Sequence, residues 1–224
     1  MIDIKHNLAL IEQQIFNACE KNTRNRTDIS LLAVSKTKPC IMIEQAYQAG
    51  QRNFGENYVQ EAVEKIISLT HLSEITWHFI GPIQSNKTKQ IAQHFSWVHS
   101  LDRVKIAKRL NQERTDKKTP LNVCIQVNVS NEASKSGVSI DDLPALVEYV
   151  AQCKNLTLKG LMAIPEKNAA IESYQKMQQL FLQLKASHST VDTLSMGMSN
   201  DLETAIHYGS TMVRVGSAIF GKRT

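Results

Sequence analysis

Short apolar runs separated by helical patterns recur eight times along this chain, and no other feature limits its fold as tightly. The runs cover 29–35, 52–54, 76–80, 97–99, 121–129, 156–163, 193–195 and 211–215. Leu31-Leu-Ala-Val34 is apolar at every position, which suits a strand buried on both faces. Between the runs lie three- and four-residue apolar periodicities near 39–49, 57–70, 84–94, 102–114, 141–153, 168–188 and 200–208, each the pattern of a one-sided helix. A further helix, marked by Ile4, Leu8, Ile11, Ile15 and Ala18, precedes the first run. Pro39 suits a first helical turn and Gly50 the residue past a helix end. Strands alternating with helices imply a parallel sheet, and eight such units can close on themselves. Open doubly wound sheets have fewer strands, and many carry a glycine fingerprint after the first; here Ser35-Lys36-Thr37-Lys38-Pro39 stands instead. We therefore expect an α/β chain: a single (β/α)8 TIM barrel with an extra N-terminal helix, one domain over residues 1–224, since no linker or low-complexity tract divides it.

The net charge of +5, with a pI near 9.0, raises the question of nucleic acid. The densest basic stretches, Lys105, Lys108 and Arg109, then Arg114, Lys117 and Lys118, fall on one helical pattern and its loop, with no interleaved aromatic ring to stack a base. They read as a solvated helix face, and the positive balance suits a small anionic ligand. Cys19, Cys40, Cys124 and Cys153 form no Cys-x-x-Cys pair, so reduced, mostly buried thiols are expected, and neither a zinc site nor a disulfide framework. The first residues are charged throughout, and no apolar run approaches the ~20 residues of a membrane span. A soluble, cytoplasmic protein without membrane contact is the expectation.

In such barrels the working residues gather at the carboxyl ends of the strands. If the pleat turns Leu32 and Val34 inward, Lys36 shares their direction at the barrel mouth. There it is either an amine stripped of water and able to attack an aldehyde, with Lys38 nearby to disfavour its charge, or a lysine reaching out to solvent. After the seventh run, Gly197-Met198-Ser199-Asn200 opens a helix in which Asn200 and Glu203 have capping-box spacing, and Gly216-Ser217 follows the eighth. These two loops are either ordinary caps and turns or a phosphate cradle. Arg214, in phase with Met212 and Gly216, is either ion-paired to a barrel carboxylate or aimed at a ligand. Asn57 caps the next helix or touches that ligand. His78 and His99 lie near strand ends without metal-site spacing and are read as structural; no serine sits in a nucleophile elbow.

The segments Leu31-Leu-Ala-Val-Ser-Lys-Thr-Lys-Pro39, Phe54-Gly-Glu-Asn-Tyr-Val-Gln-Glu61 and Trp77-His-Phe-Ile-Gly-Pro-Ile-Gln-Ser-Asn-Lys87 resemble the pyridoxal phosphate homeostasis protein family. Ser134-Lys-Ser-Gly137, Gly160-Leu-Met-Ala-Ile-Pro165, Ser195-Met-Gly-Met-Ser199 and Val213-Arg-Val-Gly-Ser-Ala-Ile-Phe-Gly221 do so too, so the likeness runs nearly end to end. It implies a barrel like the amino-terminal domain of alanine racemase (fold type III of the pyridoxal phosphate proteins) and pyridoxal 5′-phosphate (PLP) as cofactor. By the family pattern Lys36 forms the Schiff base, Arg214 donates to the pyridine nitrogen and Asn57 lies beside the ring. Ser199, Gly216, Ser217 and the Met198 backbone hold the phosphate. Many members have threonine where this chain has Ser217, and either hydroxyl can donate.

A cationic arginine at the ring nitrogen disfavours its protonation and makes the ring a poor electron sink. The resemblance therefore implies a protein that buffers or delivers PLP, with PLP-dependent apoenzymes as recipients, a monomer and no catalytic residue. The alternative is an amino-acid racemase or lyase. A racemase needs acid and base groups on both faces of the substrate. In the alanine racemase family the second is a tyrosine that depends on a further carboxyl-terminal domain, and none is expected here. Tyr58 and Tyr208 are read as packing residues on helices. A third alternative, a lysine-dependent aldolase without cofactor, predicts a colourless protein.

Overall fold

The computed structural model describes residues 2–115, 119–130, 136–165 and 171–222. Strands β1 (Ser30–Val34), β2 (Asn53–Glu56), β3 (Thr76–Phe79), β4 (Trp97–Leu101), β5 (Leu121–Gln126), β6 (Leu156–Met162), β7 (Thr193–Ser195) and β8 (Met212–Val215) pair in chain order. Every pairing is parallel, and β8 returns to β1 with Leu32 opposite Arg214, which closes the barrel. The eight strands and the closure expected from the apolar runs are therefore present.

The helices are α1 (Ile4–Lys21), α2 (Cys40–Gln48), α3 (Val59–Ser68), α4 (Thr88–His94), α5 (Val104–Glu113), α6 (Leu143–Ala151), α7 (Ile171–Ser187), α8 (Leu202–His207) and α9 (Ser217–Phe220). In α1 the Asp3 side chain accepts from the His6 amide, 2.9 Å away, which caps one of the otherwise unpaired first-turn donors. Its buried stripe, Ile4, Leu8, Ile11, Ile15 and Ala18, packs against α8 and α9. Helices α2 to α6 and α8 start one to four residues later than their patterns, α4 by the most. Residues 84–87 form a turn in which the Lys87 amide donates to Gln84, and α8 begins only at Leu202. The expected residues 168–170 of α7, together with Lys117, Lys118 and Ser134-Lys135 of the motif above, lie outside the described residues.

Strand alternation divides the apolar residues into two populations. Leu31, Ala33, Val123, Ile125, Leu161, Val213 and Val215 point outward into the layer that the helices complete. Leu32, Cys124, Met162 and Met212, each one residue out of phase, are equally buried but stand apart from that layer, inside the barrel. Lys105, Lys108 and Arg109 are exposed on α5, as a solvated face requires. Arg114 is not: it is buried, and its guanidinium donates to the carbonyls of Ala92, Phe95 and Thr119, plugging a loop against the ends of α4. Helix carbonyls leave orphan acceptors, and a long basic side chain satisfies them. Cys19 and Cys124 are buried, Cys40 and Cys153 partly so, and all four are free.

Gly160 sits where the β5–β6 register shifts, at φ +147, and a Cβ there would lie 1.8 Å from the Thr193 carbonyl oxygen. Only glycine fits so close an approach. Gly160→Ala is expected to cost about 3 kcal/mol or more in urea unfolding; an unchanged midpoint contradicts the packing described.

Candidate functional site

The carboxyl ends of the strands surround a cavity of about 830 Å³. Lys36, Asn57, Met198, Ser199, Arg214, Gly216 and Ser217, scattered over 182 positions of sequence (217 minus 36, plus one), all line it. A shallower concavity of about 540 Å³ lies between α6 and α7, far from the strand ends and walled mainly by Leu143, Val147 and Leu184.

Lys36 is half-buried and shares the cavity wall with Val34, so the inward pleat carries through the end of β1. Its loop is clamped from outside the barrel. Lys65 on α3 is buried, and its Nζ lies 2.8 Å from Glu56 Oε1 and 2.6 Å from Glu61 Oε1 while donating to the Ser35 carbonyl at 2.8 Å. Ser35 Oγ donates to the same Glu56 oxygen, and the Thr37 amide donates to Glu61. Thr37 adopts φ +62, uncommon for a β-branched residue, so the clamp holds a strained turn on either side of Lys36. Burial pushes the Glu56 carboxyl up, opposed by the Lys65 ammonium. Lys38 Nζ donates to the Lys222 carbonyl, tying this loop to the end of the described chain.

Arg214 is 5% exposed, and among the described residues no carboxylate lies in hydrogen-bond range of it. The ion pair offered as one reading of its sequence is therefore not found among the described residues. One guanidinium nitrogen donates to the Ser195 carbonyl at 2.7 Å and to Ser195 Oγ at 2.8 Å, and the other donates to the Ala163 carbonyl at 2.9 Å. Burial pulls the group down to about 10, with Asp201 opposing the shift, so it stays cationic at neutral pH. Behind Ser195 lie the two histidines read as structural residues without metal-site spacing. They are in fact joined: His99 Nδ1 is 2.9 Å from Ser195 Oγ, His99 Nε2 is 2.9 Å from His78 Nδ1, and His78 Nε2 is 3.1 Å from Asn53 Oδ1. Both rings are fully buried, and Trp97 stacks on His78 at 5.3 Å. Burial pulls His78 down to about 3 and His99 well below the usual range, the latter also through His78 and Arg214. Among the described residues no group of three or more histidine, cysteine or acidic side chains could hold a metal ion.

The loop after β7 departs from the expected capping box. Glu203 instead pairs with Lys21 on α1, and Asp201 takes the N-cap position of α8. Asp201 Oδ1 accepts from the Met198 amide at 2.7 Å, and Oδ2 accepts from Tyr174 Oη at 2.8 Å. The Met198 N–H, expected as an anion donor, is thus already satisfied by a carboxylate. Ser199, Gly216 and Ser217 line the neighbouring wall. Asn57 caps nothing: α3 begins at Val59, and Asn57 Oδ1 is buried without a partner at the cavity wall. Gly81 presses on it, since a Cβ there would lie 2.2 Å from the Asn57 carbonyl oxygen. Tyr58 is exposed at the start of α3 rather than packed, whereas Tyr208 packs beside Tyr174 with ring centroids 6.0 Å apart.

Sequence reasoning found the cavity wall but missed Glu56, Lys65, Ser195 and Asp201, and did not foresee that the two histidines bond to one another. A signal for the second group was present. His99 is two residues from Trp97, Ser195 two from Thr193 and Arg214 two from Met212, so each falls at an inward phase of its strand.

The fold and the cavity define a class, the barrel of the alanine racemase amino-terminal domain, and the family model "Alanine racemase, N-terminal domain" matches residues 4–224. At 52% identity over 229 residues, covering 99% of this chain and 97% of the relative, the chain resembles the pyridoxal phosphate homeostasis protein of Haemophilus influenzae. It is 50% identical to the protein of that name from Escherichia coli K12, covering 100% of this chain and 98% of the relative. PipY of Synechococcus elongatus, solved with PLP bound, superposes with a TM-score of 0.84 at 32% identity, covering 97% of this chain and 100% of PipY. Alanine racemase from Corynebacterium glutamicum shares the fold, with a TM-score of 0.71 at 17% identity over 99% of this chain and 60% of the racemase. This chain belongs to the pyridoxal phosphate homeostasis protein family.

The buried imidazoles make a pH prediction. Unfolded histidine takes up a proton below about pH 6.5, whereas folded His78 does so only near 3, so the unfolded state binds more protons in between. Stability is fully present above pH 6.5 and falls as pH drops below it. Between pH 7.5 and 5 the loss is expected to be about 2 kcal/mol for each of the two rings. Urea unfolding across that interval checks this, and a flat profile contradicts it.

Proposed function

We propose that this chain binds PLP through a Schiff base on Lys36 and serves in its homeostasis, holding and releasing the cofactor without catalytic turnover. One observation carries the reading most directly. A lysine on the loop just past β1 and a cationic arginine on the adjacent β8 share a cavity whose rim has hydroxyls and glycine on the loops after β7 and β8. The unpartnered oxygen of Asn57 on the same wall is a polar group that a ligand would satisfy.

When bound, PLP supplies an aldehyde that condenses with an amine. Lys36 Nζ would be the amine that holds it. Arg214 has only donors, so it receives the ring nitrogen as an acceptor and leaves it unprotonated. Ser199, Ser217 and the Gly216 backbone serve the phosphate. The Met198 amide joins them only where Asp201 gives it up.

That electronic setting disfavours carbanion chemistry, the requirement of a racemase or lyase. Among the described residues the cavity wall has no tyrosine, histidine or cysteine, and its carboxylate, Asp201, is already engaged by the Met198 amide and Tyr174 Oη. The relatives are named for homeostasis rather than for a reaction. A monomer is the working unit we propose. PLP-dependent apoenzymes are the recipients we propose, with the cytoplasm as the location; no described helix is long and apolar enough to cross a membrane.

Purified protein incubated with PLP is expected to absorb visible light and to become permanently labelled on borohydride reduction. Lys36→Ala abolishes the label; a persistent label places the bond elsewhere. Ser199→Ala removes a hydrogen bond to an anion and is expected to weaken PLP retention tenfold or more, a loss of about 1.5–3 kcal/mol in equilibrium dialysis. Unchanged retention removes Ser199 from the phosphate site.

A further inference from the structure

The hydrogen bonds behind Arg214 have one consistent direction. A guanidinium only donates, so Ser195 Oγ accepts from it and has its own proton to give. At the far end Asn53 Oδ1 can only accept, so His78 Nε2 carries its proton, His78 Nδ1 accepts from His99 Nε2–H, and His99 Nδ1 accepts the serine proton. Each proton has a single place along Arg214, Ser195, His99, His78 and Asn53, and both rings are the neutral Nε2–H tautomer. Each acceptor along the chain is polarised by the donation it makes onward, so the negative end of every dipole faces the guanidinium.

Resting on the reading that the cavity takes PLP with its ring nitrogen against Arg214, we propose that Ser195, His99 and His78 are positioning residues. By holding Arg214 in place and cationic without a carboxylate, they set the proton affinity of the Lys36 Schiff base. Two alternatives to this chain would behave differently. A carboxylate beside Arg214 would neutralise the charge felt by the ring, and a purely apolar floor would leave the guanidinium without acceptors. Among the described residues the other charged groups on the cavity wall are Lys36 itself, Lys38 on the loop after β1 and Asp201 on the loop after β7. None of these touches the histidine rings, so they are left in place when the chain is cut.

The cut is made with Ser195→Ala, which adds no volume, and with His99→Leu. His99→Asn keeps an acceptor near the position of Nδ1. PLP-loaded protein is titrated while the visible band is followed, and borohydride labelling is run in parallel. All three variants are expected to retain the label, because Lys36 is intact. In Ser195→Ala and His99→Leu a looser cation at the ring nitrogen raises the pH midpoint of the band by about 0.5–1 unit and weakens PLP retention about fivefold. His99→Asn is expected to return both toward wild type, a recovery that mere packing would not give. If His99→Leu fails to fold, Ser195→Ala carries the test. Unchanged midpoint and retention in folded Ser195→Ala overturn the proposal while the cofactor reading stands. Wild-type protein that takes no label sinks the cofactor reading, and this inference with it.

Discussion

A full positive charge lies inside a closed sheet, and the rest of the molecule is arranged around that fact. Stripping a guanidinium of water costs several kcal/mol, and most buried arginines recover it from a carboxylate. Arg214 instead has two carbonyls and a serine hydroxyl, each bond to a charged donor contributing about 1.5–3 kcal/mol. Those three contacts are of the size needed, provided the acceptors cannot turn away. Ser195 is fixed by His99, His99 by His78, and His78 by Asn53 and the stacked Trp97. A barrel interior is suited to this, because strands β2, β3, β4, β7 and β8 each contribute one inward side chain at a height set by the register.

The opposite wall is held by another device. Lys65, Glu56 and Glu61 form a buried charged cluster outside the barrel, and its bonds to Ser35 and Thr37 fix the backbone that bears Lys36. The backbone that bears the amine and the guanidinium itself are thus anchored independently, one through ionic contacts beneath α3, the other through dipoles inside the sheet. A ligand that bridges them meets two pre-set ends. This fits a protein whose task is to hold a small molecule, since preorganisation spares the ordering cost of binding. The loop after β7 differs: Asp201 occupies the Met198 amide, and an incoming phosphate must coexist with that carboxylate or displace it.

The barrel was legible because its signal is local: strands such as Leu31-Leu-Ala-Val34 are apolar on both faces, and helices such as α1 repeat their stripe every three or four residues. The seven wall residues were legible for a related reason, since all sit at or just beyond strand ends. What stayed hidden depends on partners distant in sequence. Ser195 and His99 are 96 positions apart, and no one-dimensional pattern states that their strands meet across a barrel. In one dimension Lys65 is only a charge within a helical pattern, and its bonds to Ser35 and Glu56 appear once α3 packs over β2. Asn200 and Glu203 had capping spacing, yet the geometry gave the cap position to Asp201, where the Met198 amide was within reach.

A crystal structure of the chain grown with PLP tests the central claim most directly. The account predicts continuous density from Lys36 Nζ into the ligand, the ring nitrogen against Arg214, and the phosphate between Ser199 and Ser217. Density that leaves Lys36 Nζ unbonded, or a ligand seated away from the β1 and β8 ends, would contradict it.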